Sequence, residues 1–283
     1  MKNTSQNYKS AIKPVWCPGC GNYAILKSLQ KALSELEIEP ENIVTVSGIG
    51  CSGRFSHYMN TYSLHGTHGR AVPTALGAKA ARPDLTVLCV GGDGDGLGIG
   101  GGHIPHAARK NVDLTYILID NRIYGLTKGQ SSPTTPIDKR TKTSPYGVYE
   151  EPLNAIAMLL AYDTSFIARI SSLQMKEMVE ILKEAINHKG FSVINVMSPC
   201  VTFPVLGYDT VRDLIKPIPE NHDPSDKLKA MQLAYDDTKL YTGIFYKVQK
   251  PTLEDNLNKQ IEDAVSVEDN QKVTVEELLE KYV

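Results

Sequence analysis

At 283 residues, with 41% hydrophobic residues and a net charge of -2, the chain can build one large or two modest globular domains, and its composition excludes a disordered protein. Acidic and basic residues are interspersed and nearly balanced, which leaves no electrostatic footprint for nucleic acid. The first residues, Met1-Lys2-Asn3-Thr4-Ser5-Gln6, lack the apolar run of a secretory signal, and no stretch approaches the roughly 20 apolar residues of a spanning helix, so a cytoplasmic protein with no membrane partner is expected.

The first distinctive run is Trp16-Cys17-Pro18-Gly19-Cys20-Gly21. Behind it, Ala24, Ile25, Leu29, Ala32, Leu33 and Leu36 fall on one face of a helix over residues 21–37, and residues 42–47 read as a strand. Gly48-Ile49-Gly50-Cys51-Ser52-Gly53 follows. An alanine-rich helix over 71–81 ends before Pro83, and the apolar run 86–90 has the pattern of a strand buried on both faces. Its Cys89 reads as a small core residue.

A glycine-rich turn over 91–102, a helix over 104–110 and a strand over 114–119 complete a βαβ unit. Residues 121–152, rich in Pro, Thr, Ser, Lys and Tyr, show no periodicity, and a loop of that length is usually a functional lid or a partner contact. Helices over 153–161 and 172–188 alternate with strands over 165–170 and 191–197. The fold class that follows is α/β, a parallel sheet with helices on both faces. After Cys200 in Ser198-Pro199-Cys200 the character changes. Four prolines punctuate residues 204–224, and charged helical patterns follow near 225–237 and 274–282. We divide the chain into a domain over 1–203 and a C-terminal extension over 204–283.

Two features carry chemistry. Five cysteines, odd in number and irregularly spaced, argue against a disulfide framework. Cys17, Cys20, Cys51 and Cys200, drawn from three separate places, suggest a metal centre, and from the thiols alone an iron–sulfur cluster and a structural zinc both stay open. The second feature is the turn that begins Gly91-Gly92-Asp93-Gly94-Asp95, at the C-terminal end of a strand, where open α/β sheets bind their ligands. Glycines let backbone N–H groups approach phosphate oxygens. Asp93 beside a phosphate requires a cation, and Mg²⁺ takes one carboxylate together with phosphate oxygens. Asn121 and the Ile123 carbonyl, at the end of the next strand, are positioned to complete its ligands.

Gly92-Asp93-Gly94 followed by Asn121 resembles the thiamin diphosphate motif. Together with the four cysteines it resembles the beta subunit of 2-oxoacid:ferredoxin oxidoreductases, over roughly residues 12–205. The resemblance implies a thiamin diphosphate-binding fold with Mg²⁺ on Asp93, Asn121 and Ile123, and a 4Fe-4S cluster on Cys17, Cys20, Cys51 and Cys200. It implies cofactor contacts from Ile49, Gly50, Cys51, Ser52, His68, Gly94, Asp95, Gly125 and Leu126. Arg54, Leu126 and Lys128 match positions near the substrate, and the Leu126-Thr127-Lys128 form favours 2-oxoglutarate over pyruvate. The implied reaction is oxidative decarboxylation of a 2-oxoacid with coenzyme A to acyl-CoA and CO₂, with electrons passing through the cluster to ferredoxin. Enzymes of this kind use two related α/β domains and this chain has room for one, so an alpha subunit, or alpha plus gamma, is the implied partner. Two other readings stand beside it. One is a dinucleotide-binding dehydrogenase with a structural zinc, since Gly96-Leu97-Gly98-Ile99-Gly100-Gly101 satisfies G-x-G-x-x-G. The other is a non-catalytic iron–sulfur electron-transfer protein. His65, His103 and His106 read as scaffold histidines.

Overall fold

The helix and strand signals resolve into an eight-stranded sheet in a computed structural model that describes residues 3–266 and residue 280. The first half of the chain runs α1 (Asn22–Glu35), β1 (Ile43–Ser47), the single turn α2 (Phe55–Tyr58), β2 (Tyr62–His65), α3 (Ala71–Ala81), β3 (Thr86–Gly92), α4 (Ile104–Lys110) and β4 (Leu114–Asp120). A small hairpin of β5 (Ile123–Tyr124) and β6 (Gln130–Ser131) follows, then α5 (Ala155–Ala161), β7 (Phe166–Ser171), α6 (Met175–Asn187) and β8 (Phe191–Met197). The last part holds α7 (Tyr208–Leu214), β9 (Ile215–Pro217), α8 (Lys227–Tyr235), β10 (Leu240–Lys247) and α9 (Leu253–Ser266). The helix expected near 274–282 lies outside the described residues except at residue 280.

The strand order is β2-β1-β3-β4-β8-β7-β10-β9. The six strands from β2 to β7 are mutually parallel, while β10 pairs antiparallel with β7 and parallel with β9. Residues beyond 204 thus add two strands to the same sheet. Alternation along the strands explains the continuous apolar runs. Val87 and Cys89 join Tyr116, Leu118 and Val193 in a core under α3, α4, α5 and α8, whereas Leu88 and Val90 join Ile117, Ile119 and Ile194 in a second core under α1 and α6. Each such side chain contributes about 1.5–3 kcal/mol on burial, and the two cores fix the register of every central strand.

Helix ends follow from local chemistry. Asn154 caps α5 by accepting from the Ala157 amide at 3.1 Å, and Asp226 caps α8 by accepting from the Leu228 and Lys229 amides. Pro105 sits in the first turn of α4, and Asn111 ends that helix in the left-handed region at φ 47°.

Chain order places the site. From β1 the chain leaves to β2 on one side, and from β3 it leaves to β4 on the other. The crevice between the C-terminal ends of β1 and β3 is therefore the switch point where an open α/β sheet receives a ligand. No helix among the described residues is long and apolar enough to cross a membrane.

Candidate active site

Three loops meet at that crevice: Gly48–Arg54 after β1, Asp93–Gly102 after β3, and Asn121 onward after β4. The glycine-rich segment is a turn only in part. Residues Gly94–Ile99 form a wide helical turn, kinked at Gly98 (φ -80°, ψ -113°), that leads through Gly101–His103 into α4. Its glycines let aromatic rings press on the backbone. A Cβ at Gly94 would overlap the Tyr124 ring, with Cζ at 2.6 Å, and the Tyr124 hydroxyl donates to the Gly94 carbonyl at 2.9 Å.

The two aspartates of this segment do different work. Asp95, 3% exposed, accepts through Oδ1 from the Ile49 amide (2.9 Å), the Gly69 amide (2.8 Å) and His68 Nδ1 (2.8 Å). It ties the loops after β1 and β2 to the loop after β3 and fixes the His68 ring. Asp93, 1% exposed, accepts through Oδ2 from Ser132 Oγ (2.5 Å) and lies 2.8 Å from Thr134 Oγ1. Thr134 Oγ1 is also 2.9 Å from Asp120 Oδ1. One hydroxyl proton cannot serve both carboxylates. Burial, and then the neighbouring Asp120, push the Asp93 carboxyl up to about 7. Among the described residues no basic side chain makes an ion pair with Asp93.

Asn121 stands above this pair, its amide 3.5 Å from Asp93 Oδ1 and its side-chain oxygen accepting from the Ile123 amide at 2.9 Å. A buried carboxylate without a countercharge, next to an amide oxygen, is a donor set that fits Mg²⁺. That ion takes one or two protein carboxylates and completes its shell with phosphate oxygens and water. Ser132 and Thr134 escape a reading of the sequence alone. Their only signal is Ser131-Ser132-Pro133-Thr134-Thr135-Pro136, a hydroxyl-rich run within the unperiodic loop.

The four cysteines stand together on the other side of Asn121. Cys17, Cys20, Cys51 and Cys200 line one cavity of about 190 Å³, shared with Arg54, Asn121, Gly125, Leu126 and Lys128. The Cβ position of Gly125 lies 3.5 Å from Cys200 Sγ and 3.8 Å from Cys51 Sγ, so the thiol cavity and the loop after β4 are in contact. Trp16, 7% exposed, forms the floor with Tyr23, Phe55 and Tyr58 against it, and donates from Nε1 to the Cys51 carbonyl at 2.7 Å. Thr202 Oγ1 lies 3.2 Å from Cys17 Sγ, and the Phe203 amide lies 3.4 Å from Cys200 Sγ.

Burial, and then the neighbouring thiols, raise Cys20 to about 11; burial followed by Cys200 and Cys17 also raises Cys51. Such a ring is uncomfortable as thiolates unless a cation compensates it. Among the described residues no three His, Cys, Asp or Glu side chains gather closely enough to hold a single metal ion. Zinc draws four thiolates to about 2.3 Å from one point.

Lys128 and Leu126 reach the cavity from the β5–β6 hairpin, whose turn places Lys128 at φ 84° and Gly129 at φ 101°. Arg54 reaches it from the loop after β1. Ser52, 6% exposed, packs beside Gly92, and Gly50 holds φ 105° with open space around its Cβ position. His65 lies 3.3 Å from Ser47 and meets His57 edge-on. Cys89 is fully buried in the core.

Comparison with known proteins agrees with this geometry. The family model for the thiamine pyrophosphate enzyme, C-terminal TPP-binding domain, matches residues 48–196, and the model for the C-terminal part of the pyruvate ferredoxin oxidoreductase beta subunit matches residues 200–262. The chain is 39% identical over 265 residues to 2-oxoacid:ferredoxin oxidoreductase 1 subunit beta of Aeropyrum pernix, covering 89% of this chain and 83% of that subunit. It is 41% identical over 252 residues to 2-oxoglutarate synthase subunit KorB of Methanocaldococcus jannaschii, covering 88% and 93%. Against 2-oxoglutarate oxidoreductase subunit KorB of Mycobacterium tuberculosis it is 44% identical over 197 residues, 70% of this chain and 53% of that one. A solved 2-oxoglutarate:ferredoxin oxidoreductase from Magnetococcus marinus, with 2-oxoglutarate, coenzyme A and succinyl-CoA bound, superimposes with a TM-score of 0.91 at 44% identity, covering 96% of this chain and 94% of that one.

The dehydrogenase reading is not favoured, because Gly96–Gly101 begins several residues past the strand end and runs from the kinked helical turn into the next one. By matched span, identity and fold, the chain belongs to the thiamin diphosphate-binding beta subunits of 2-oxoacid:ferredoxin oxidoreductases, a multi-subunit enzyme family.

Proposed function

We propose that this chain supplies the cofactor-binding half of an enzyme that oxidatively decarboxylates a 2-oxoacid, 2-oxoglutarate in preference to pyruvate, and passes the acyl group to coenzyme A. Asp93, Asn121 and the Ile123 carbonyl hold Mg²⁺ against the diphosphate of thiamin diphosphate. Ile49, Gly50, Cys51, Ser52, His68, Gly94, Asp95, Gly125 and Leu126 surround that cofactor, while Cys17, Cys20, Cys51 and Cys200 ligate a 4Fe-4S cluster. When bound, thiamin diphosphate supplies carbanion chemistry and the cluster supplies a one-electron acceptor.

The chain's own residues do the rest. Asp95 holds the His68 ring with Nδ1 toward the carboxylate, leaving Nε2 for a ligand. Trp16 and its aromatic neighbours keep water from the floor of the thiol cavity, where a drier surround strengthens every electrostatic contact. Arg54 and Lys128 bring two cations to the cavity from separate elements, which matches a substrate with two carboxylates. Leu126, 49% exposed, offers an apolar wall between them and the crevice. The remaining substrate contacts belong to an alpha subunit, or alpha plus gamma, with ferredoxin as electron acceptor in the cytoplasm. The boundary at 203/204 belongs to the same proposal: β9 and β10 extend the sheet outside the matched cofactor domain.

The observation that carries this reading is the contact of the two centres at Gly125, whose Cβ position is 3.5 and 3.8 Å from two of the four thiols while Asn121 lines the same cavity. The test is the metal and cofactor content of the anaerobically purified complex. Iron and acid-labile sulfide at about four each per chain, with Mg²⁺-dependent thiamin diphosphate, is the expected result. One zinc without sulfide overturns the cluster.

A further inference from the structure

Two buried oxygens near the crevice have no hydrogen-bond partner, Asp95 Oδ2 and the Tyr116 hydroxyl. They approach the same spot. The Cβ position of Gly91 lies 2.6 Å from the Tyr116 hydroxyl and 3.0 Å from Asp95 Oδ2. A Cβ at Gly48 would overlap Asp95 Oδ2, and one at Gly96 would overlap the Tyr116 hydroxyl. Gly48 after β1, Gly91 at the end of β3 and Gly96 in the turn after it have thus left room for a carboxylate oxygen and a phenol to approach each other. Tyr116 is fully buried in the middle of β4 and Asp95 is 3% exposed, so water has little access to either. The two are not hydrogen-bonded to each other in this structure, and each is costly left alone, so closing the gap between them would satisfy both.

We infer that Tyr116 is a positioning residue for the diphosphate end of the site. Its hydroxyl donates to Asp95 Oδ2 and thereby holds Asp95 Oδ1 on the Ile49, His68 and Gly69 donors. The inference rests on the thiamin diphosphate reading above, and it extends the site to a side chain that touches neither cofactor nor metal. Asp95 already accepts three hydrogen bonds on one oxygen, and an unanchored second oxygen lets the carboxylate rotate about its Cβ–Cγ bond. Anchored at both oxygens, it presents the loop after β1 and the His68 ring in one orientation. Tyr116 comes from the floor of the core, so the fold itself sets that orientation.

Tyr116→Phe in the assembled complex tests this, because it removes one oxygen and keeps the ring. The expected result is about tenfold weaker thiamin diphosphate binding, with a lower thermal midpoint. Removing an unpartnered buried hydroxyl is neutral or stabilising, so an unchanged or higher midpoint with unchanged affinity overturns the inference. In the double-mutant cycle with Asp95→Asn, the effect of Tyr116→Phe on stability should disappear. If it persists undiminished, Tyr116 acts through packing and the inference falls. A high-resolution crystal structure of the unaltered chain decides the point without a variant. The Tyr116 hydroxyl within about 2.8 Å of Asp95 Oδ2 supports it, and a different donor on that oxygen refutes it. If the complex binds no thiamin diphosphate at all, the proposed function fails, while the stability cycle and the crystallographic distance still judge the Tyr116–Asp95 bond.

Discussion

The two halves of the crevice are built in opposite ways. On the carboxylate side, Asp95 gathers Ile49, His68 and Gly69 on one oxygen, Ser132 and Thr134 close on Asp93, and glycines allow aromatic rings to press directly on the backbone. On the thiol side, four cysteines from distant parts of the chain ring a cavity of about 190 Å³ and are joined by few polar contacts. The first half is held mainly by the protein's own hydrogen bonds. The second is shaped to be completed by what it binds, so damage to one should be read as lost folding or cofactor, and damage to the other as lost iron.

The largest effect is expected from Cys51→Ser, which removes a thiol shared by both halves. Iron content and 2-oxoacid-dependent dye reduction should fall to background while the far-ultraviolet spectrum stays unchanged. Retained activity breaks the comparison at its centre. Thr134→Val leaves Asp93 in place but removes the hydroxyl that it shares with Asp120, and it should weaken Mg²⁺-dependent thiamin diphosphate binding about 10–100-fold. Iron should be untouched.

A pair of glycine substitutions sharpens the contrast. Gly94→Ala drives a methyl into the Tyr124 ring and should destabilise the apoprotein by about 1–3 kcal/mol, measured by denaturant unfolding. Gly125→Ala meets only the thiols at ordinary contact distance and should leave apoprotein stability unchanged, with reduced iron incorporation. Equal destabilisation by both would dissolve the distinction.

The smallest effect concerns pH. Asp93 is raised from its usual 3.8 to about 7 by burial and by Asp120. Its contribution to stability is fully present below pH 3.8 and is lost as pH rises through 7, because the folded chain must then hold an uncompensated charge. Metal-free protein should lose stability over that window, and Mg²⁺ with thiamin diphosphate, or Asp93→Asn, should flatten the loss.

What is legible in the sequence follows the same division. Buried parallel strands announce themselves, and the runs 86–90, 114–119 and 191–197 lie within β3, β4 and β8. The edge strand β2 escapes a sequence reading because Tyr62-Ser63-Leu64-His65 is exposed throughout and carries no burial pattern. The strand β10 escapes it because it follows a proline-punctuated stretch and contains Gly243 at φ 134°. Asp93 and Asn121 can be read from local spacing. The roles of Ser132 and Thr134 cannot, since an irregular loop brings its hydroxyls back to a residue some forty positions earlier without leaving a period. The thiols sit between these cases: all four stand out in the sequence, and only the fold gathers Cys200 with Cys17, Cys20 and Cys51 around one cavity.

The central claim is that one crevice joins a decarboxylating cofactor to an electron acceptor held by this chain's cysteines. The direct measurement is the cluster's visible absorbance and electron paramagnetic resonance in the anaerobic complex before and after 2-oxoglutarate and coenzyme A are added. The account predicts bleaching and a reduced-cluster signal that require the 2-oxoacid and vanish in Cys51→Ser. Release of CO₂ with no spectroscopic change at a cluster on this chain would contradict it.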